Sequence, residues 1–151
     1  LKLKPVVVGN LSYFNLPAVA FIGDDGSQKD LAFNNQEFDV FRDKNLKDYL
    51  QKTEFHFEIN NTINRDYTLT ITFYDVNDQA LVAMKFEIPA YTGSKNTITS
   101  TEIFENARLD LLKRATKMGF LINMSAGPVL DENSTGSLEL RSSATVYLEI
   151  Q

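Results

Sequence analysis

Tyr67-Thr68-Leu69-Thr70-Ile71-Thr72-Phe73-Tyr74 is the stretch that decides the fold class. Its side chains alternate, with Tyr67, Leu69, Ile71 and Phe73 on one face and Thr68, Thr70, Thr72 and Tyr74 on the other, which predicts a strand with one face in a core. Asp75-Val76-Asn77-Asp78-Gln79 follows as a turn, and Val82, Met84, Phe86 and Ile88 repeat the period of two until Pro89. The two runs predict a hairpin. Upstream, Phe55, Phe57 and Ile59 alternate with His56 and Glu58, so three sequential strands are expected to form a meander.

Working outward, Pro5 to Gly9, Tyr13 to Phe14 and Ala18 to Ile22 read as short strands, followed by a turn at Asp24-Asp25-Gly26-Ser27. Asn45 is placed to cap a short helical turn carrying Leu46, Tyr49 and Leu50. One longer helix is expected near residues 101–118. Thr99 and Glu102 have capping-box spacing, Ile103, Ala107, Leu111 and Ala115 recur every four residues, and Gly119 is available to end the helix. Phe120 to Met124 resumes a strand, and Leu138 to Ile150 closes the chain with Ala144, Val146, Leu148 and Ile150 on one face. The reading is a single domain over 1–151, mainly β: an antiparallel two-sheet β-sandwich, Greek-key-like, with one crossover helix.

Composition narrows function more by exclusion than by indication. The 151 residues carry a net charge of -5, which speaks against a nucleic-acid binder, since such a protein must neutralise phosphates with a basic face. The one basic cluster, Lys113, Arg114 and Lys117, falls at the expected helix end, where cations oppose the dipole. The chain has no Cys, so disulfides, thiol catalysis and thiolate metal sites are excluded. The seven glycines are too scattered for a phosphate loop or a dinucleotide fingerprint. No Gly-x-Ser-x-Gly elbow occurs, and the single His would have to act as base for a serine that nothing in the sequence nominates. No apolar stretch is long enough to cross a bilayer as a helix. Leu1-Lys2-Leu3-Lys4-Pro5 opens without an initiator Met, which is expected of a processed or trimmed chain.

Several clusters invite chemistry and have simpler explanations beside them. His56 shares a strand face with Glu54 and Glu58, a set that is either three metal ligands or a solvated face; one imidazole falls short of most zinc or copper sites. Asp75, Asn77 and Asp78 resemble part of a calcium loop, but Ala80 and Phe86 stand where that loop needs Gly and Glu, and a hairpin turn accounts for the same residues. Asp24 and Asp25 carry the same ambiguity. Tyr13, Tyr49, Tyr74, Tyr91 and Tyr147 are the tyrosines available to stack on a sugar. Asn-x-Ser/Thr occurs at Asn10, Asn60, Asn123 and Asn133. No cofactor, metal or catalytic residue is assigned.

The stretch from Phe55-His56-Phe57-Glu58-Ile59-Asn60-Asn61-Thr62 through Tyr67 to Phe73, with the Asp75-Val76-Asn77-Asp78 turn and Gly136-Ser137-Leu138-Glu139-Leu140-Arg141-Ser142-Ser143, resembles β-sandwich cell-envelope proteins of Bacteroidota. That resemblance implies an exported protein at the periplasm or outer-membrane surface, an accessory or lipoprotein-like subunit beside an outer-membrane β-barrel. The expected function is a non-enzymatic envelope subunit that binds another protein. The alternatives are a plug or gate subunit of an outer-membrane translocon and a carbohydrate- or calcium-dependent recognition module. The expected point of attachment is the long C-terminal run. A bend at Ser142-Ser143 would leave part of it at a sheet edge, with Thr145, Tyr147 and Glu149 setting partner specificity, unless the run is paired internally.

Overall fold

The computed structural model describes residues 2–41, 44–94, 97–125 and 127–150. Among the described residues there are eight strands: β1 Lys2–Pro17, β2 Leu31–Glu37, β3 Leu50–Asn61, β4 Tyr67–Tyr74, β5 Ala80–Ile88, β6 Thr97–Glu105, β7 Lys117–Met124 and β8 Ser137–Ile150. Two short helices, α1 Lys44–Tyr49 and α2 Asn106–Leu112, and a 3-10 turn at Ala18–Phe21 complete it. The strands form two four-stranded sheets in the orders β1-β8-β3-β6 and β2-β7-β4-β5, every pairing antiparallel.

The pairs β1/β8, β2/β7, β3/β6 and β4/β5 are nested, as in one long hairpin rolled up on itself. This is the arrangement of an eight-stranded jelly roll, and the expected Greek-key sandwich of mainly β structure is what the chain forms. The β4–β5 hairpin is seated as its alternation requires: Tyr67, Leu69, Ile71 and Phe73 are all buried, opposite Ile88, Phe86, Met84 and Val82. Between the sheets lies an aromatic core. Phe55 packs against Phe73 at 5.4 Å and edge-on to Phe104 at 5.3 Å, while Phe38 meets Phe73 at 5.1 Å. Offset and edge-to-face geometries of this kind suit rings whose faces are negative and edges positive.

Four expectations need correction. The meander does not form, because β3 lies in one sheet and β4–β5 in the other. Alternation shows that a strand has a buried face, but lateral pairing and face-to-face packing produce the same pattern. At the crossing, buried Asn61 replaces the missing ladder: its amide nitrogen donates to Arg65 O (2.9 Å) and Pro89 O (3.0 Å), and its oxygen accepts from Ile63 N. Second, the separate short strands expected before residue 17 are one strand, β1, with an irregularity between Val8 and Ser12; Ala18–Phe21 is a 3-10 turn.

Third, the helix expected over 101–118 occupies only Asn106–Leu112. Thr99 and Glu102 lie in β6 rather than in a capping box, since Thr97, Ile98, Thr99, Thr101 and Ile103 are β-branched and favour extended backbone. Leu109 and Leu112 are the helical residues that enter the core. Gly119 is a buried strand residue, not a helix end, and a Cβ there would stand 2.9 Å from the Tyr74 ring. Lys117 likewise begins β7 and pairs with Asp78. The side chain of Asn45, the expected cap of α1, lies outside the described ones.

Fourth, β8 is a central strand. Thr145 stands between Val7 of β1 and Glu54 of β3, and Tyr147 between Pro5 and Lys52. No bend occurs at Ser142-Ser143; the irregularity belongs to β1, where residues 9–11 stand opposite Ser143 alone. With a neighbour on each side, the backbone groups of β8 are committed to the ladder. The edge reading of Thr145 and Tyr147 therefore does not hold; Glu149 pairs with Leu3 of β1 and lies past Leu148, the last β8 residue paired with β3.

Candidate binding face

Those three residues instead face outward from the first sheet, together with His56 and its carboxylates. Register places the outward side chains in rows that cross three or four strands: Tyr13–Arg141–Glu58–Thr99, then Ser143–His56–Thr101, then Val7–Thr145–Glu54–Ile103, then Pro5–Tyr147–Lys52–Glu105. Each row arises because inward partners such as Phe55, Phe57, Ala144 and Val146 take the other parity.

His56 sits at the centre, its Nδ1 3.2 Å from Thr101 Oγ1 and its Nε2 3.2 Å from Thr145 Oγ1. Two hydroxyls from the flanking strands thereby fix the ring plane. Glu54 Oε2 lies 4.0 Å from Nε2, and Lys52 Nζ is 3.1 Å from Glu54 Oε1. The Lys52 ammonium holds the Glu54 carboxyl below the usual carboxylate range, with Tyr147 and His56 adding smaller effects. Lys52 also lies over the Tyr147 ring at 4.8 Å. Partial burial, then the neighbouring Glu54, push the Tyr147 hydroxyl upward.

At the other end of the face, Glu139 accepts from Arg141 (3.4 Å), Tyr13 Oη (3.2 Å) and Asn60 Nδ2 (3.3 Å). Burial works upward on the Glu139 carboxyl, but these three donors outweigh it and its pKa is lowered. The Arg141 guanidinium lies 5.6 Å from the Tyr13 ring centre. Between the two charged groups the surface dips into a depression of about 440 Å³, walled by Glu58, Thr99 and Arg141 and floored by Ser143, His56 and Thr101.

The remaining sequence candidates are dispersed. Asp75 Oδ1 accepts from the backbone of Asn77 (2.8 Å) and Gln79 (3.0 Å), which makes it a turn residue, and Asp78 faces Lys117. Asp25 accepts from the Ser27 hydroxyl and backbone, which lower its pKa in that order, and it is fully exposed. Among the described residues no three His, Asp or Glu side chains converge on one point. Of the five candidate tyrosines, Tyr13 and Tyr147 share the face; Tyr74 lies on the second sheet against Gly119, while Tyr49 ends α1 and Tyr91 follows β5. Asn60 is tied to Glu139 on the face, and the Asn10 side chain lies outside the described ones.

Sequence reasoning missed Arg141 and Ser143 as site residues and missed the margin formed by Leu3, Pro5 and Val7. The parity of β8 was legible, and its outward set of Arg141, Ser143, Thr145 and Tyr147 follows from that parity alone. What alternation does not reveal is which strands flank it.

No family model and no curated protein matches the sequence. Among solved structures the chain is similar to the infectious bursal disease virus Gx strain, at 9% identity and a TM-score of 0.51, over 98% of this chain and 32% of that one. Particles derived from infectious bursal virus, described as T=1, give 11% identity and 0.51 over 98% and 31%. A candidate secreted protein of Parabacteroides distasonis gives 13% identity and 0.48 over 82% and 38%. The chain thus spans about a third of the length of the viral chains. The two viral likenesses show the fold alone.

Proposed function

We propose that the protein is a non-enzymatic binding subunit of a bacterial cell envelope that receives a strand of a partner protein along the open edge of β1. One observation carries this: β1 runs for 16 residues, and among the described residues only β8 pairs with it. Its outward margin is apolar, with Leu3 42% exposed, Pro5 exposed and Val7 74% exposed. A long apolar edge presents unpaired N–H and C=O groups to any strand that fits, and proteins normally shield such an edge. Lys2 and Lys4, exposed on the opposite parity, ask for acids on the partner's other face. The partner is therefore a strand with apolar residues on one face and acidic residues on the other.

The envelope setting and a barrel complex as partner rest on the resemblance to Bacteroidota envelope sandwiches. Among the described residues no helix is long and apolar enough to cross a membrane. The test is photo-crosslinking in native cells from residue 7, with residue 103 of β6 as the control. A discrete adduct from position 7 that disappears when Leu3→Lys is added is expected, while the melting temperature of Leu3→Lys alone stays within about 2 °C of the native protein because the site is exposed. An adduct unaffected by Leu3→Lys, or one formed equally from residue 103, would mean that β1 is not the docking edge.

A further inference from the structure

The depression on the outer face of the first sheet is a separate feature from the β1 edge, and its chemistry is different. Its floor is the row of Ser143, His56 and Thr101, short or ring-shaped side chains on three adjacent strands. At the β1 end, residues 9–11 oppose Ser143 alone, and Gly9 has nothing within 4 Å of where a Cβ would stand. Gly9 therefore brings no side chain to the β1 end of the row.

The lining is polar and carries one charge of each sign. Arg141 and Glu58 are direct neighbours across strands β8 and β3 and form one wall, and the row of Thr145 and Glu54 lies next to the floor on its other side. A strongly anionic ligand meets Glu58, and a strongly cationic one meets Arg141. Hydroxyls from Thr99, Thr101 and Ser143, a carboxylate and a guanidinium offer closely spaced donors and acceptors of both kinds. Vicinal hydroxyl groups on a rigid ring match that pattern, each giving one hydrogen and accepting another. The volume of about 440 Å³ suits one or two sugar rings. Tyr13, 57% exposed beyond Arg141, offers a ring at the end of the trough for the next unit.

We infer that this trough is a binding site for a neutral oligosaccharide, lying across the strands between the Arg141–Glu58 and Thr145–Glu54 rows. The inference stands independently of strand addition at β1, since a fifth strand would extend the sheet sideways and leave its face open.

The experiment follows backbone amides and the His56 imidazole by NMR during titration with maltotetraose, xylotetraose, chitotetraose and tetragalacturonate. At least one of the three neutral sugars is expected to give saturable shifts at His56 and Ser143. Ser143→Trp, which fills the trough, and Glu58→Ala, which removes an exposed acceptor, should each weaken that binding at least tenfold. Val76→Lys, in the exposed β4–β5 turn of the other sheet, should leave it unchanged. Saturable shifts centred elsewhere, binding that survives both trough variants, a response to tetragalacturonate alone, or no saturable response to any neutral sugar would each overturn the inference.

Discussion

The two edges of the first sheet are finished in different ways. β6, nine residues long, turns Thr97, Thr99 and Thr101 outward and places the carboxylate-bearing Glu102 on the inward parity opposite Phe55. Its end runs straight into α2, whose Arg108 donates to the Ile103 carbonyl at 2.7 Å and covers the Phe104 ring at 4.0 Å. An inward charge and a covered carbonyl are two ways by which natural sheets blunt an edge. β1 is finished differently along Lys2–Val8: Lys2 and Lys4 stand on the inward parity and Pro5 withholds a single donor, while Leu3 and Val7 keep its outward margin apolar. Edge character is therefore a local property of sequence, set separately at each edge of one sheet.

The largest expected effect breaks the frame that both edges share. Gly136 has φ +94, and a Cβ there would stand 2.1 Å from Thr62 O. Its carbonyl accepts from Ala18 N at 3.1 Å, and Ser137 O accepts from Thr62 N at 2.9 Å, so this residue ties the end of β1 to the crossing between β3 and β4. Both the positive φ and the clash disfavour any side chain, so Gly136→Ala should destabilise by about 4 kcal/mol or more in urea unfolding. Hydrogen exchange in the surviving folded protein should accelerate at Phe14 to Leu16 before it does in β6. A cost below about 1 kcal/mol would show that the junction relaxes freely.

A smaller effect sharpens the contrast by undoing the shield on β6. Arg108→Ala removes the bond to Ile103 O and the guanidinium over Phe104, and should cost about 1–2 kcal/mol. It should also expose a second sticky edge, so that a crosslinker at residue 103 begins to capture strands as residue 7 does. If residue 103 stays silent in that variant, Arg108 is not what closes the edge.

How much of this was legible beforehand depends on the interaction that fixes each element. The β4–β5 hairpin was readable because neighbours in sequence decide it: alternation, an Asp75 turn and Pro89 all agree. β6 was misread because a period of four and a capping-box spacing can be traced through Thr99, Glu102, Ile103 and Ala107, whereas packing uses Phe104, Leu109 and Leu112 instead. The order of strands was not legible, since β1 meets β8 through pairs such as Lys2 with Ile150, nearly the whole chain apart. The same distance hid the face. His56 and Glu54 were visible together on one strand, but Thr145, Thr101 and Arg141 reach them only through tertiary pairing.

The smallest effect is a titration that reads the face from one edge towards the other. Glu54 lies in the row that runs from Val7 to Ile103, and Lys52 links it to the row that starts at Pro5. Its folded pKa is lowered from the ordinary 4.5, chiefly by the hydrogen bond from Lys52. The sign follows: an unfolded chain binds this proton more readily, so Glu54 contributes stability above about pH 4.5 that is lost as the pH falls through the lower folded value. With the pair near the surface and screened, the loss should amount to no more than a few tenths of a kcal/mol. NMR of the Glu54 carboxyl should give a midpoint below 4.5, with Tyr147 ring signals following the same curve because Lys52 lies over that ring. In Lys52→Met the midpoint should return close to 4.5, and the Tyr147 signals should cease to follow it. A native midpoint at or above 4.5 would mean that Lys52 does not hold Glu54, and the charged link between the β1 margin and the centre of the face would then be lost.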